Sequence, residues 1–203
     1  MARTTARRDQ VLPALAELFR EHGYHGTSLA HVTAATGLGK GSIYNFFPGG
    51  KDEMAAAVLS HVDDWFERQV FAPLAAAGDL AAGPQAGPAA AVEDMFASVT
   101  DYFRSGQRVC LVGAFALGDA RDAFASRIDA YFARWIAALS RALQAGGIAP
   151  GMADDLAEEA VAVIQGAIVL ARANRADGAF VRVTGGQKRR LLDALDAASR
   201  ASA

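Results

Sequence analysis

Residues 27–51 read TSLAHVTAATGLGKGSIYNFFPGGK, and the fold follows from where this stretch breaks. Thr27 or Ser28 precedes a short apolar-periodic run, and a short hydroxyl side chain there accepts from the orphan N–H groups of a first helical turn. Leu29 and Val32, three apart, share one face of that run. Thr36-Gly37-Leu38-Gly39 interrupts it, and Gly37 suits the left-handed position that ends a helix and turns the chain. A second run, Lys40 to Phe46 or Phe47, is stopped by Pro48-Gly49-Gly50. Two short helices joined by a tight glycine-containing turn predict a helix-turn-helix. In that motif the second helix enters the DNA major groove.

The side chains along this stretch suit that task. Lys40 seeks phosphate, Gly41 allows close backbone approach, and Ser42, Tyr44 and Asn45 hydrogen-bond to phosphates or base edges. Ile43 and one of Phe46 or Phe47 anchor the second helix to its own core. Lys51 precedes Asp52-Glu53, which open a long helix. A phosphate at that helix start is favoured by the Lys51 charge and by the free N–H groups together. The candidate DNA contacts are therefore Thr27, Ser28, Lys40, Gly41, Ser42, Tyr44, Asn45 and Lys51. For any one of these alone a solvated surface position is the plainer reading; their combination points to DNA.

Charge supports the same end of the chain. The net charge of the 203 residues is −2, but residues 1–51 carry six Lys/Arg against three acids, leaving 14 basic and 19 acidic residues for the remainder. A basic N-terminal part on an acidic body fits nucleic acid at one end only, and argues against a uniformly basic architectural protein. Cys110 is the one cysteine, which excludes an internal disulfide and fits a reducing compartment. No signal peptide is apparent, and the longest apolar run, Ala160 to Ala171, is too short to span a bilayer. A cytoplasmic protein without a membrane partner is expected.

The run Gly23-Tyr24, Thr27-Ser28-Leu29, Ala35 through Phe47 and Lys51 resembles the N-terminal DNA-binding domain of the tetracycline-repressor (TetR) family. The G-x-x-K-G-[ST]-[IL]-Y pattern with following aromatics and Lys carries the likeness over about the first quarter of the chain. Two departures stand out. Gly39 occupies a place where the family commonly has Ser, so the second helix lacks a side-chain N-cap. Phe47-Pro48-Gly49-Gly50-Lys51 is one residue longer than the usual spacing, a form similar to the LmrA/YxaF branch.

The rest of the chain reads as all-α, with about nine helices in total. The DNA-binding domain is placed at 1–51, and an effector-binding and dimerisation domain at 52–203. Residues 1–9 form a polar, Arg-containing tail that either adds phosphate contacts or is a plain terminus. A helix carries Val11, Leu12, Leu15, Leu18 and Phe19 on one stripe, with Pro13 in its first turn or kinking it, and ends at His22-Gly23-Tyr24. Further helices are expected at 52–77, 89–104, 122–145, 153–177 and 187–199, with loops at 78–88 and 178–186. The run Val109–Gly118 has no polar side chain but a thiol, which predicts a buried helix at the centre of the C-terminal domain.

Catalysis finds little support. Cys110 has apolar neighbours, which raise a thiol pKa and make it inert. His22, His25 and His31 match no usual metal spacing. Asp154-Asp155 and Glu158-Glu159 lie near a helix start, where acids are favoured anyway. No enzyme activity, metal or cofactor is expected. The aromatic content of the C-terminal part is a better lead. Trp65, Phe66, Phe96, Phe103, Cys110, Phe115, Phe124, Tyr131, Trp135 and Gln165 are the candidate effector contacts, although such stripes are more often plain core. The family resemblance implies an effector cavity among these helices. Small residues on the helix 153–177 allow close helix approach, and the resemblance implies that the last two long helices form a two-fold interface. Ala162, Gly166, Ala167, Leu170, Leu191 and Leu195 are its candidates.

The expected function is a ligand-responsive transcriptional regulator: a repressor that binds a palindromic operator in double-stranded DNA as a homodimer and is released by a small apolar or aromatic effector. The alternative is a helical small-molecule binder or enzyme with a vestigial DNA-binding domain.

Overall fold

The computed structural model describes residues 8–77, 87–174 and 178–201. Arg3 and Arg7 of the N-terminal tail, and residues 78–86 of the expected loop at 78–88, lie outside them. So do residues 175–177, the expected end of a long helix. Among the described residues the chain is all helical, with nine helices. They are α1 (Arg8–Gly26), α2 (Leu29–Thr36), α3 (Lys40–Phe46), α4 (Gly50–Phe66, continued by Glu67–Phe71 and Ala72–Ala75), α5 (Pro88–Tyr102), α6 (Leu111–Leu117), α7 (Ala125–Ala145), α8 (Pro150–Asn174) and α9 (Ala179–Ala201). A single 3₁₀ turn, Asp122–Phe124, precedes α7.

Packing divides the chain into two compact units, one of residues 1–64 with 111–129, the other of 65–110 with 130–203. The chain crosses between them inside α4, just before α6 and again inside α7. In the first unit α1 holds the centre. Val11, Leu12, Leu15, Ala16, Leu18 and Phe19 are all buried along it, and it packs on α2 and α6. Pro13 is the sixth residue of α1, inside the helix rather than in its first turn, so the Asp9 carbonyl loses its i→i+4 partner there. Gly23, at φ 67 and ψ 179, breaks the helical path as the His22-Gly23-Tyr24 sequence predicts.

The second unit is built on aromatic rings. Trp135 and Phe66 are fully buried and Tyr131 nearly so. The Phe66 ring lies 5.1 Å from Tyr131 and 5.2 Å from Trp135, centroid to centroid. Phe71 joins Tyr131 at 5.8 Å, and Phe103 joins Phe66 at 6.1 Å. Tilted and edge-on contacts at these distances are those the ring quadrupoles favour.

Four expectations need correction. The helix expected over 52–77 starts at Gly50 and contains a π turn at Glu67–Phe71, where the Ala72 N–H reaches Glu67 O. Pro73 sits just beyond, in the first turn of the continuing α segment. In an unbroken α-helix it would lack an N–H for the carbonyl four residues back and press against it; the wider turn relieves both. The helix expected at the centre of the C-terminal domain is instead α6, which packs on α1 in the first unit. It is not buried all round, since Leu117 is 90% exposed. Phe115 explains the placement, because its ring meets Phe19 at 5.9 Å. Of the segment 178–186, expected as a loop, residues 179–186 are the first part of α9. Burial of Phe180 and Thr184, with Thr184 Oγ1 donating to Phe180 O at 2.8 Å, outweighs the roughly 1 kcal/mol that each of Gly185 and Gly186 costs a helix. The segment expected as the first turn of the helix 122–145 is the 3₁₀ turn.

Candidate nucleic-acid interface

The helix-turn-helix is assembled from local hydrogen bonds. Ser28 is the N-cap of α2, at φ −104 and ψ 161. Its Oγ accepts the His31 N–H at 3.2 Å, and His31 Nδ1 accepts the Ser28 N–H at 3.4 Å. This is a reciprocal capping box with His in the place usually held by Glu or Gln. The His22 ring stacks on His31 at 4.3 Å. Gly37 closes α2 in the left-handed conformation, φ 67, and its N–H donates to Thr33 O. Thr36 Oγ1 accepts the Leu38 N–H at 3.3 Å and so shapes the turn. α3 starts at Gly39, φ −70 and ψ 156, with no side-chain cap, as its lack of a side chain dictates. Ile43 and the C-cap Phe47, each 2% exposed, seat α3 on the unit's core.

With Ile43 turned inward, Lys40, Gly41, Ser42, Tyr44 and Asn45 are all exposed. Tyr44 has half its surface in solvent. Ser28 is exposed as well. Thr27 is not: its hydroxyl donates to Gly23 O at 2.7 Å and Leu18 O at 3.3 Å, and it fastens the α1–α2 connection.

Lys51 is half-buried, and its Nζ donates to His25 O and Thr27 O, both at 3.3 Å. The ammonium also stands 4.8 Å over the Tyr24 ring. An ammonium has three N–H donors, so two carbonyls leave one for an anion. Next to it, the Tyr24 hydroxyl donates to Asp52 Oδ1. Burial first, then the bond to the Asp52 carboxylate and its charge, push the Tyr24 hydroxyl up to about 12. Glu53 Oε2 accepts the Gly49 N–H at 2.9 Å, while its Oε1 pairs with Arg8 at 3.0 Å. The Arg8 guanidinium in turn lies 5.0 Å from the Phe47 ring centroid. Sequence reading missed Tyr24, His31, Glu53 and Arg8 as organisers of this region. For His31 the signal was there, three residues after Ser28; nothing in the spacing marks Tyr24 as a partner of Asp52, 28 residues away.

The candidate effector residues separate into two groups. Phe115 and Phe124 belong to the first unit, where their rings lie 5.4 Å apart and pack on Tyr24. Trp65, Phe66, Phe96, Phe103, Cys110, Tyr131, Trp135 and Gln165 belong to the second. Trp65 and Gln165 are half-buried and the other six buried. Trp135 Nε1 and Gln165 Nε2 are buried without a hydrogen-bond partner. Among the dimer candidates Ala162, Gly166 and Leu170 are exposed on α8, beside exposed Met152 and Val169. Ala167, Leu191 and Leu195 are buried within the chain. Among the described residues no group of three or more His, Cys, Asp or Glu side chains is placed to hold a metal ion. Nor is any helix long and apolar enough to cross a membrane.

An all-helical chain whose first unit presents a capped helix-turn-helix with an exposed polar second helix is of the DNA-binding regulator class. Residues 11–58 match the family model for bacterial regulatory proteins of the tetR family, and residues 88–185 match the C-terminal domain of LmrA/YxaF-like transcriptional regulators. The chain belongs to the TetR family of transcriptional regulators, with a C-terminal domain of the LmrA/YxaF-like kind. It is 34% identical over 79 residues to the HTH-type transcriptional regulator LmrA of Bacillus subtilis, a match spanning 39% of this chain and 42% of that protein. It is 29% identical over 182 residues to the HTH-type transcriptional repressor DhaR of a Mycobacterium species, covering 86% of each. Among solved structures, the TetR-family regulator CifR in complex with 26-bp operator DNA superposes with a TM-score of 0.68 at 22% identity, covering 94% of this chain and 98% of that one.

Proposed function

We propose that this chain is a repressor that binds a palindromic operator as a homodimer and is released by a small apolar or aromatic effector. The DNA-binding domain is residues 1–51 and the effector-binding and dimerisation domain is residues 52–203. The observation that carries the reading is the set Lys40, Gly41, Ser42, Tyr44 and Asn45, exposed together on α3 while Ile43 anchors it. Asn45 and Ser42 read base edges; Lys40 and the remaining donor of Lys51 bind phosphates, with Ser28 at the start of α2. DhaR is a repressor and CifR binds a double-stranded operator, and both support the same assignment here.

The exposed apolar face of α8, with Met152, Val169 and Leu170 all about half in solvent or more, supports two-fold pairing through Ala162, Gly166 and Leu170. Pairing would put two α3 helices in successive major grooves of one duplex. For the effector, Trp135 Nε1 and Gln165 Nε2 are buried polar atoms without a partner, and Trp135 lies against aromatic rings; a few such atoms beside apolar surface are the makeup of an orientation-selecting site. Such atoms are costly when left unsatisfied, so an acceptor on the ligand is favoured there. The rings against Trp135 are Phe66 and Tyr131.

Selection of bound duplexes from a random DNA pool tests the proposal. Enrichment of a two-fold symmetric sequence is expected. No enrichment at low salt would instead favour a helical small-molecule binder whose DNA-binding domain is vestigial.

A further inference from the structure

Tyr24 meets more elements of the first unit than its sequence position suggests. Gly23 takes the chain out of the helical path at φ 67, and Tyr24 then turns into the space between α1, α4, α6 and the 3₁₀ turn. Its ring lies 6.3 Å from Phe19 on α1, 6.1 Å from Phe115 on α6 and 5.8 Å from Phe124 on the 3₁₀ turn. Its hydroxyl donates to Asp52 in the first turn of α4. Over the ring, at 4.8 Å, stands the Lys51 ammonium. Beside it is a cavity of about 210 Å³ lined by Phe19, Tyr24, His25, Phe115 and Asp119 among others. The ring therefore has close partners on several sides and room on another.

We infer that Tyr24 is a positioning residue for DNA binding: its ring sets the place of the Lys51 ammonium, and so carries a displacement of α6 to the phosphate contact. The inference rests on the proposed phosphate contact of Lys51. Lys51 is tethered by two carbonyls at 3.3 Å each, both beyond the usual span of about 2.7–3.2 Å for a hydrogen bond, and the ring 4.8 Å beneath the ammonium adds a third restraint on where it sits. A cation over an aromatic face is attracted by the ring quadrupole, and the attraction falls when the ring is removed or slides aside. Phe115 touches the same ring. A shift of α6 therefore reaches Lys51 without passing through α2 or α3, and the base-reading residues of α3 keep their places.

The test is a double-mutant cycle read in the salt dependence of DNA binding. Full-length wild type, Tyr24→Leu, Tyr24→Phe, Lys51→Ala and the Tyr24→Leu/Lys51→Ala pair are titrated with the duplex recovered by selection, over a range of salt concentrations. Lys51→Ala should lower the slope of log affinity against log salt by about one. Tyr24→Leu should lower it by the same amount, and the pair by no more than either. Tyr24→Phe keeps the ring and should retain the wild-type slope. Base preference should be unchanged in all of them. Should Tyr24→Leu fail to fold, Tyr24→Met, of similar bulk and flexible, takes its place. A wild-type slope for Tyr24→Leu beside a lowered slope for Lys51→Ala overturns the inference and leaves the proposed contact standing. Additive losses in the pair overturn it too. An unchanged slope for Lys51→Ala, or a selection that recovers no duplex, overturns both.

Discussion

Replacing Gly106 by alanine should be among the most damaging single-methyl changes in this protein. The turn after α5 is unusual: Arg104 and Ser105, neither a glycine, have φ 49 and 52, and Gly106 follows at φ 93. The Ser105 N–H donates to Thr100 O and the Arg108 N–H to Phe103 O, both at 2.9 Å, and Arg172 Nη1 on α8 holds Gln107 O at 2.9 Å. Gly106 itself is buried. A Cβ there would stand 2.7 Å from the Ala171 Cβ and 2.8 Å from the Phe180 Cβ. Neither neighbour is the end of a flexible side chain, so α8 or α9 must move. The left-handed backbone costs a residue with a Cβ about 1–2 kcal/mol, and forcing a methyl into a filled core adds about 1–3 kcal/mol. The sum is about 2–5 kcal/mol, which for a chain of this size lowers Tm by roughly 4–20 °C. Gly178→Ala is the control: its φ is 80, but nothing lies within 4 Å of the added Cβ, so only the backbone part, about 1–2 kcal/mol, should appear. Thermal melts followed by far-UV circular dichroism measure both. If Gly106→Ala melts no lower than Gly178→Ala, the overpacking argument is wrong.

Gly39→Ser gives α3 the hydroxyl cap it lacks, at a φ and ψ that Ser adopts freely and with nothing near the new Cβ. The cap and the stiffer unfolded chain together should add about 1 kcal/mol, read as a Tm higher by about 2–4 °C; an unchanged or lower Tm would show that α3 is held from elsewhere. Leu170→Glu puts a charge on the exposed face of α8 and should convert the proposed dimer to monomer in sedimentation velocity, with little loss of helix content, whereas a dimer that persists moves the interface off this face. Tyr24, with its pKa raised to about 12, stays neutral in the folded chain to higher pH than in the unfolded one. Its contribution is therefore complete below the unfolded value of about 10 and is lost as pH rises from there through about 12. Alkaline titration of tyrosinate absorbance should lose a late-titrating component in Tyr24→Phe.

Local signals made the helix-turn-helix legible. Ser28, Gly37, Gly39 and the Pro48-Gly49-Gly50 stop each act within a few residues, and caps and left-handed glycines work through neighbouring backbone groups whatever the rest of the chain does. The apolar stripe of α1 and the all-helical class were readable for the same reason, since a 3.6-residue period is a property of one segment. The exposure of Lys40, Ser42, Tyr44 and Asn45 also follows from periodicity once Ile43 is taken as the anchor. Other features needed the folded chain. An apolar run such as 109–118 announces burial but not against what, and only the meeting of Phe115 with Phe19 and Tyr24 put α6 in the unit of the helix-turn-helix. Two glycines at 185–186 read as a break because propensity is local, while the burial of Phe180 and Thr184 that keeps α9 helical is not. Thr27 and Ser28 look equivalent in sequence, yet the carbonyls of Leu18 and Gly23 turn one hydroxyl inward and leave the other at the surface. The ammonium of Lys51 finds its carbonyls 24 and 26 residues earlier in the chain, a separation over which residue spacing carries no information and only the packed helices fix the distance.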